Sequence, residues 1–196
     1  MSSLEINGEL KLLDIHPTHA PEIFNLINTN RAHFRQWLRF VDDTKTPEDT
    51  LEYINSMMNG WDKPCGEVLF SISYQNQIVG VIALKKTDWV DRIVEIGYWI
   101  DPIYQGHGII SESCKALINY AFKEKDVNRI EIKCGVGNDK SSHIPQRLGF
   151  VLEGIEREGE LINGKFIDIS VYSLLKHDWI EDQNKRLVEK FHFNPN

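Results

Sequence analysis

The chain has 196 residues, of which 41% are hydrophobic and 26% charged, and its formal net charge is −7. These values are typical of one soluble domain with a full core, and the acidic balance gives no electrostatic basis for binding nucleic acid. Because no apolar run approaches the ~18 residues of a membrane span, and residues 1–5 lack the basic and apolar segments of a secretory signal, we expect a cytoplasmic protein that binds no membrane.

The apolar patterns, taken in chain order, predict a mixed α/β domain. The first half shows one strand, three helices and the three strands of an antiparallel meander, at residues 10–15, 20–28, 31–38, 46–59, 68–74, 78–84 and 93–100. The second half shows a helix, a strand, a helix and two strands, at residues 111–122, 129–136, 141–148, 150–155 and 166–175. We expect one domain over residues 1–180 and a C-terminal extension or tail over residues 181–196.

The most informative segment joins a strand to a helix through a loop that contains two glycines. The strand ends at Asp101-Pro102, and Gly106 and Gly108 follow shortly before the helix. That order places free backbone N–H groups and the positive end of a helix dipole at one point, which suits a pyrophosphate. The glycines let the backbone approach an anion closely, and the alternative is a tight turn that happens to contain them.

This order of elements, with Gln105-Gly106-His107-Gly108-Ile109 at the joint, resembles the GNAT acetyltransferase superfamily over nearly the whole chain. It is most similar to the branch that acetylates the N-terminal residues of ribosomal proteins. Further segments carry the resemblance: Asn30-Arg31 with Trp37-Leu38, Gly97-Tyr98-Trp99-Ile100, and Asn138-Asp139-Lys140-Ser141 followed by Leu148-Gly149-Phe150 and Leu152-Glu153-Gly154. The resemblance implies the GNAT fold, in which helices flank a mixed, mostly antiparallel central sheet, and it implies a homodimer.

The resemblance also implies acetyl-CoA as the co-substrate, with no metal. The loop would hold the pyrophosphate through the backbone amides of Gln105, Gly106, His107, Gly108, Ile109 and Ile110. The end of the strand would pair with the pantetheine arm like an added strand, through Trp99, Ile100 and Asp101. Ile110 departs from the glycine or alanine that is usual there. His107 either places partial positive charge beside the phosphates or faces solvent.

Two more positions are expected near the cofactor. The resemblance places Cys134 near the CoA sulfur. Cys134 alternates along the predicted strand with Ile130 and Ile132, so it shares their apolar face, and this indicates a packed, inert thiol rather than an acetylated intermediate. Asn138 is expected to hydrogen-bond the pantetheine or the substrate. The alternative for Asn138 is a turn residue that follows the strand.

Acetyl transfer to an amine needs an acceptor for the amine proton and a group that stabilises the leaving thiolate. The tyrosine that many GNAT enzymes use as the acid is replaced by Pro145. The resemblance assigns that task to Ser141, although Ser141 or Ser142 would also serve as a helix N-cap. It assigns the base to Glu160, which lies in a run of glutamates whose ordinary interpretation is a solvated strand face.

Three functions follow. The first is acetyl transfer from acetyl-CoA to the N-terminal α-amine of a protein, a ribosomal protein by resemblance, directly within a ternary complex. The second keeps the chemistry with a small amine as acceptor, such as a polyamine, an amino acid analogue or an aminoglycoside. The third is a CoA-binding module without turnover.

A basic residue recurs every four residues near the start of the chain, at Arg31, Arg35 and Arg39. This pattern is typical of a solvated helix face, and the alternative is a contact for an acidic acceptor protein. Strand neighbours Tyr98 and Trp99 should face opposite sides of the sheet.

Overall fold

The fold is seen in a computed structural model that describes residues 3–60 and 68–181. The expected tail therefore lies outside the described residues, apart from Glu181, which closes a helical turn over residues 176–181. The strands are β1 (Ser3–Glu5), β2 (Leu10–Asp14), β3 (Val68–Tyr74), β4 (Gln77–Asp88), β5 (Ile93–Ile100), β6 (Arg129–Gly135), β7 (Val151–Ile162) and β8 (Lys165–Leu175). The α-helices are α1 (Ala20–Thr29), α2 (Arg31–Phe34), α3 (Pro47–Gly60), α4 (Ile109–Glu124) and α5 (Asp139–Arg147), and short 3-10 helices cover Pro17–His19, Arg39–Val41 and Pro102–Tyr104.

All eight strands form one sheet in the order β1-β2-β3-β4-β5-β6-β8-β7. The pairs are antiparallel except β5 with β6, which run parallel and are joined through α4. That parallel pairing spans only Ile93 to Glu95 on β5 and Arg129 to Glu131 on β6. Beyond it β5 continues to Ile100 and β6 to Gly135 without pairing to each other, so the sheet opens into a split at its centre. The predicted mixed, mostly antiparallel sheet is confirmed.

Helices cover both faces of the sheet and bury two cores. On one face α4 packs Leu117 and Ile118 against the centre of the sheet, and Tyr98 lies at the edge of that core. On the other face α1 and α3 cover β3 and β4, and Trp99 packs at the edge of the second core. Tyr98 and Trp99 therefore face opposite sides, as predicted from strand alternation. Among residues 3–60 and 68–181, no helix is long and apolar enough to cross a lipid bilayer.

Tertiary contacts moved several predicted boundaries. Helix α2 ends at Phe34 rather than at residue 38, since the Arg31 guanidinium donates hydrogen bonds to the carbonyl oxygens of Val41 and Thr44 and holds the chain in a turn. Arg31 is thus a structural clamp, which corrects the interpretation of all three arginines as a solvated face. Strand β7 runs to Ile162, well past residue 155, because it stays paired with β8 across two irregularities of register.

Candidate active site

A cavity of about 810 Å³ lies where β5 and β6 diverge. Its walls come from α2 and the turn after it, the end of β5, the loop before α4, and α5. A second cavity of about 590 Å³ lies beside it, under the end of β7. The two cavities share six lining residues, which mark where they meet: Trp37, Leu38, Tyr98, Trp99, Asn138 and Ser141.

The loop before α4 has the backbone of an anion site. Gly106 and Gly108 adopt φ values of 83° and 78°, in the left-handed region that favours glycine, and α4 begins directly afterwards at Ile109. The first N–H groups of a helix have no partner within the helix and carry its positive dipole end. Asp101 is buried, and its carboxylate accepts a 3.1 Å hydrogen bond from the Ile103 amide, so it caps the 3-10 helix of the loop.

Basic side chains of α5 line the first cavity opposite this loop. Lys140, His143 and Arg147 are spaced by three and four residues, so they share one face of the helix. The chain as a whole is acidic, with a net charge of −7, so this face is a local exception. These side chains supply local positive charge for an anionic ligand, which the negative net charge of the whole chain does not.

A polar chain crosses the first cavity from α5 to α2. Lys140 Nζ donates to Gln105 Oε1 at 2.8 Å, and Gln105 Nε2 lies 3.2 Å from His33 Nε2. Burial, reinforced by the charge of Lys140, lowers the pKa of His33. A neutral imidazole can accept the hydrogen bond from the Gln105 amide.

Where the cavities meet, three side chains form a compact hydrogen-bonded cluster. Ser141 Oγ lies 3.3 Å from Cys134 Sγ and 3.4 Å from the Tyr98 hydroxyl, which itself donates to the Ser141 carbonyl at 3.0 Å. Burial raises the pKa of Cys134 and raises that of Tyr98 well above its usual value. Both groups therefore stay protonated at neutral pH, which fits the inert thiol expected for Cys134.

Asn138, not a serine, caps α5. The Asn138 side chain accepts a 3.3 Å hydrogen bond from the Ser141 amide, and the helix begins at Asp139. The alternative in which Ser141 or Ser142 serves as the N-cap is therefore wrong. Since Ser141 lies inside the first turn, its hydroxyl remains available at the junction.

Three carboxylates line the second cavity, those of Asp43, Glu95 and Glu160. Glu95 is buried on β5, with Lys85 Nζ 2.8 Å from one carboxylate oxygen and Lys86 Nζ 2.9 Å from the other. Burial pushes the pKa of Glu95 upward, but the two lysines outweigh it, so the pKa lies below its ordinary value. Glu160 is half-buried on β7, where the strand resumes its pairing with β8 opposite Ile167.

The family of the chain follows from comparison with known proteins. A family model for the acetyltransferase (GNAT) domain matches residues 9–151. The chain belongs to the GNAT acetyltransferase family.

Individual relatives match almost the full length of this GNAT protein. The putative ribosomal N-acetyltransferase YdaF of Bacillus subtilis is 34% identical over 91% of this chain and 98% of its own. The ribosomal-protein-serine acetyltransferase of Escherichia coli is 30% identical over 87% and 95%. More distant relatives include the spermidine N(1)-acetyltransferase of Escherichia coli, 25% identical over 80% and 81%.

A solved structure is similar over the same length. It is the ribosomal L7/L12 alpha-N-protein acetyltransferase RimL in complex with coenzyme A, with a TM-score of 0.85 and 27% identity. The match covers 89% of this chain and 98% of that chain. In that complex coenzyme A forms a disulfide with a cysteine of RimL.

The structure of the GNAT domain brings most of the predicted cofactor residues into the first cavity. Those that line it are Trp99, Ile100, Gln105, Gly106, Gly108, Ile109, Ile110 and Asn138, together with the predicted acid Ser141. Cys134 and the predicted base Glu160 line the second cavity instead. Asp101 and His107 line neither cavity, and His107 is exposed to solvent.

Sequence reasoning missed the basic face of α5 and the buried carboxylate of Glu95. The spacing of Lys140, His143 and Arg147 was a readable signal, because intervals of three and four residues place all three basic side chains on one face of the predicted helix. Glu95 was also readable, as the one charged residue within the apolar strand Ile93–Ile100. Neither residue type is informative alone, and the ion pairs of Glu95 depend on contacts across the sheet.

Proposed function

We propose that this GNAT enzyme transfers the acetyl group of acetyl-CoA to the N-terminal α-amine of a ribosomal protein. The observation that carries the proposal is the meeting of two cavities at Ser141, one lined by the loop with two glycines and by basic side chains, the other containing the proposed base Glu160. The names of the relatives support a ribosomal acceptor.

Acetyl-CoA binds in the first cavity in this proposal. The amides at the start of α4, with Gly106 and Gly108, hold the pyrophosphate, and the basic face of α5 adds charge from the opposite wall. The free edge of β5 at Trp99 and Ile100, beyond its pairing with β6, offers backbone groups to the pantetheine arm. The thioester then lies beside Cys134, and the disulfide between coenzyme A and a cysteine in the RimL complex supports that placement.

The amine enters from the second cavity and attacks the thioester carbonyl directly. Glu160 accepts the amine proton, directly or through water, and Ser141 donates a hydrogen bond to the sulfur as the thiolate forms. The C–N bond forms as the C–S bond breaks, and the proton lost by the amine balances the charge of the departing thiolate. Cys134 takes no covalent part, because its raised pKa keeps it a thiol.

A small polyamine is the second candidate acceptor, and the spermidine acetyltransferase relatives favour it. A polyamine site needs a surplus of negative charge. The charged residues that line the second cavity are balanced instead, with cations Arg39, Lys85 and Lys133 and anions Asp43, Glu95 and Glu160. That balance favours a protein N-terminus, which carries a single amine.

We also propose a cytoplasmic homodimer that pairs along β7. This strand is the edge of the sheet and is exposed along Val151–Gly159, so its outer backbone groups are a template for another strand. Apolar side chains are exposed along β7 and its neighbour β8, at Val151, Leu152, Ile155, Leu161 and Phe166. A second copy that covered them would bury this apolar surface.

Mass spectrometry of intact ribosomal proteins, after incubation with the protein and acetyl-CoA, tests the acceptor. We expect one acetyl group on the N-terminus of one protein, and at least a tenfold loss of rate in Glu160→Gln and in Ser141→Ala. Glu158→Gln is the matched control, since Glu158 is an exposed carboxylate on the same strand that lines neither cavity. Acetylated spermidine with unchanged ribosomal proteins would establish the polyamine acceptor, and CoA binding without any transfer would establish a binding module.

A further inference from the structure

A proline inside α5 removes the helical hydrogen bond that the carbonyl of Ser141, the proposed acid, would otherwise accept. In an α-helix the carbonyl of Ser141 would accept a hydrogen bond from the amide four residues later. That residue is Pro145, which lies inside α5 and has no N–H group. The Tyr98 hydroxyl, reaching across from β5, donates to this carbonyl at 3.0 Å instead.

The same tyrosine also touches the Ser141 side chain. Ser141 Oγ lies 3.4 Å from the Tyr98 oxygen and 3.3 Å from Cys134 Sγ. One arrangement of the hydrogens satisfies all three contacts. The Cys134 thiol donates to Ser141 Oγ, the Ser141 hydroxyl donates to the Tyr98 oxygen, and the Tyr98 hydroxyl donates to the Ser141 carbonyl. A serine hydroxyl has three staggered positions, and this pattern of partners selects one of them.

On the basis of the proposed function, we propose that Tyr98 is a positioning residue for acetyl transfer: it fixes the Ser141 hydroxyl at the junction of the two cavities. Tyr98 and Ser141 line both cavities, so the held hydroxyl faces the point where the amine and the thioester meet. As the thiolate forms, the serine proton turns from the Tyr98 oxygen to the sulfur. The phenol stays bonded to the carbonyl throughout.

The alternative role for Tyr98, proton donation to the leaving thiolate, is disfavoured by relative acidity. An ordinary thiol has a pKa of about 8.5, whereas burial raises the pKa of Tyr98 well above the value of a free tyrosine. Transfer of the proton would be uphill and would leave a buried phenolate. Tyr98 therefore orients a donor and does not supply the proton.

Kinetics of Tyr98→Phe test the proposal, with acetyl-CoA and ribosomal protein L7/L12 as the acceptor probe. We expect kcat to fall about tenfold while KM for acetyl-CoA changes less than about twofold, since the lost hydrogen bond orients Ser141 only. Tyr172→Phe is the matched control. It removes a buried phenol that accepts a 3.2 Å hydrogen bond from Gln146 on the same helix, and it should leave kcat unchanged.

A double variant separates positioning from structural support. Tyr98→Phe removes the hydrogen bond from Tyr98 to the Ser141 carbonyl, and adding Pro145→Ala supplies a backbone N–H four residues after that carbonyl. We expect Pro145→Ala to recover the melting temperature lost in Tyr98→Phe but not kcat, because Ser141 Oγ keeps Cys134 but still lacks the Tyr98 oxygen. Recovery of kcat along with the melting temperature would overturn the proposal. So would a kcat of Tyr98→Phe equal to that of the wild type.

A second readout needs no acceptor. The pKa of the thiol of bound coenzyme A, followed by thiolate absorbance, should be lower in the wild type than in Ser141→Ala, and Tyr98→Phe should remove most of that difference. Equal values in the wild type and Tyr98→Phe would overturn the proposal. If no ribosomal protein is acetylated while this difference holds, the proposed acceptor is wrong and the role of Tyr98 stands.

Discussion

Gly80 allows β4 and β5 to approach each other where the cofactor cleft begins. It pairs with Ile100, and a Cβ atom at Gly80 would lie 2.9 Å from the Ile100 Cα and nearer still to the Trp99 carbonyl oxygen. Carbon atoms normally approach to about 3.5–4.0 Å, so Gly80→Ala must move the end of β5 by roughly 0.5–1 Å. The obstructing atoms are backbone atoms of a paired strand, which cannot rotate away.

We expect Gly80→Ala to lower the free energy of unfolding by about 2–3 kcal/mol, as an overpacked site does. The displaced edge of β5 is the proposed pantetheine contact, so the Kd for coenzyme A should rise about tenfold. Urea denaturation gives the first quantity and isothermal titration calorimetry gives the second. Gly8→Ala is the matched control, because a Cβ at Gly8 meets no atom within 4 Å. If the two variants have equal stability and equal Kd, the close approach of the strands has no role in the cleft.

Three further predictions concern charge and association. Hydrogen bonds from Arg129 and Ser173 lower the pKa of Glu153 to about 2. The Glu153 carboxylate should therefore add about 1 kcal/mol to the free energy of unfolding above pH 4.5, a value discounted because 41% of its side chain is exposed. In acid denaturation this contribution should disappear as the pH falls to about 2, and Glu153→Gln should show no such pH-dependent loss. The double variant Lys140→Ala, Arg147→Ala should raise the Kd for coenzyme A about tenfold, and its Kd, measured by calorimetry, should depend less on salt concentration. An unchanged salt dependence would show that these two side chains do not contact the phosphates of coenzyme A. Light scattering should show a dimer for the wild type and a monomer for Phe166→Asp, and a monomeric wild type would contradict pairing along β7.

Local sequence signals predicted the part of the fold that carries the cofactor loop. The apolar strand before Asp101, the glycines at 106 and 108, and the amphipathic helix after them act over short range, since each depends on near neighbours in the chain. The structure starts α4 at Ile109, two residues before the predicted position. Most of the predicted cofactor residues line one cavity for the same reason, because all of them except Asn138 lie within residues 99–110 of this unit.

Long-range contacts explain what the sequence did not predict. Strand β7 continues through its glutamates because β8 pairs with it, and no local pattern indicates that partner. The strand predicted over residues 129–136 ends one residue earlier, at Gly135, and the Val136 side chain is 48% exposed. The link between Tyr98 and Ser141 spans 43 residues, so the sequence could place each on its own element but not join them.

Glu95 and Glu160, two of the three carboxylates that line the second cavity, show why the proposed base is Glu160 and why a loss of activity alone would not identify it. The Glu95 side chain is 4% exposed and forms ion pairs with both Lys85 and Lys86, so its lowered pKa makes it a poor proton acceptor. Glu95→Gln would leave both lysines without their carboxylate, and we expect a loss of about 1–2 kcal/mol in the free energy of unfolding, reduced because the lysines are 34% and 59% exposed.

Glu160→Gln should instead keep the stability of the wild type and lose rate, because the Glu160 side chain makes no ion pair or hydrogen bond within residues 3–60 and 68–181, and its backbone pairing with Ile167 is unaffected. Urea denaturation and kcat, measured on both variants, separate the two roles. A stable Glu95→Gln enzyme with a large loss of kcat would move the base to Glu95. The two lysines would then tune a proton acceptor instead of holding a structural charge.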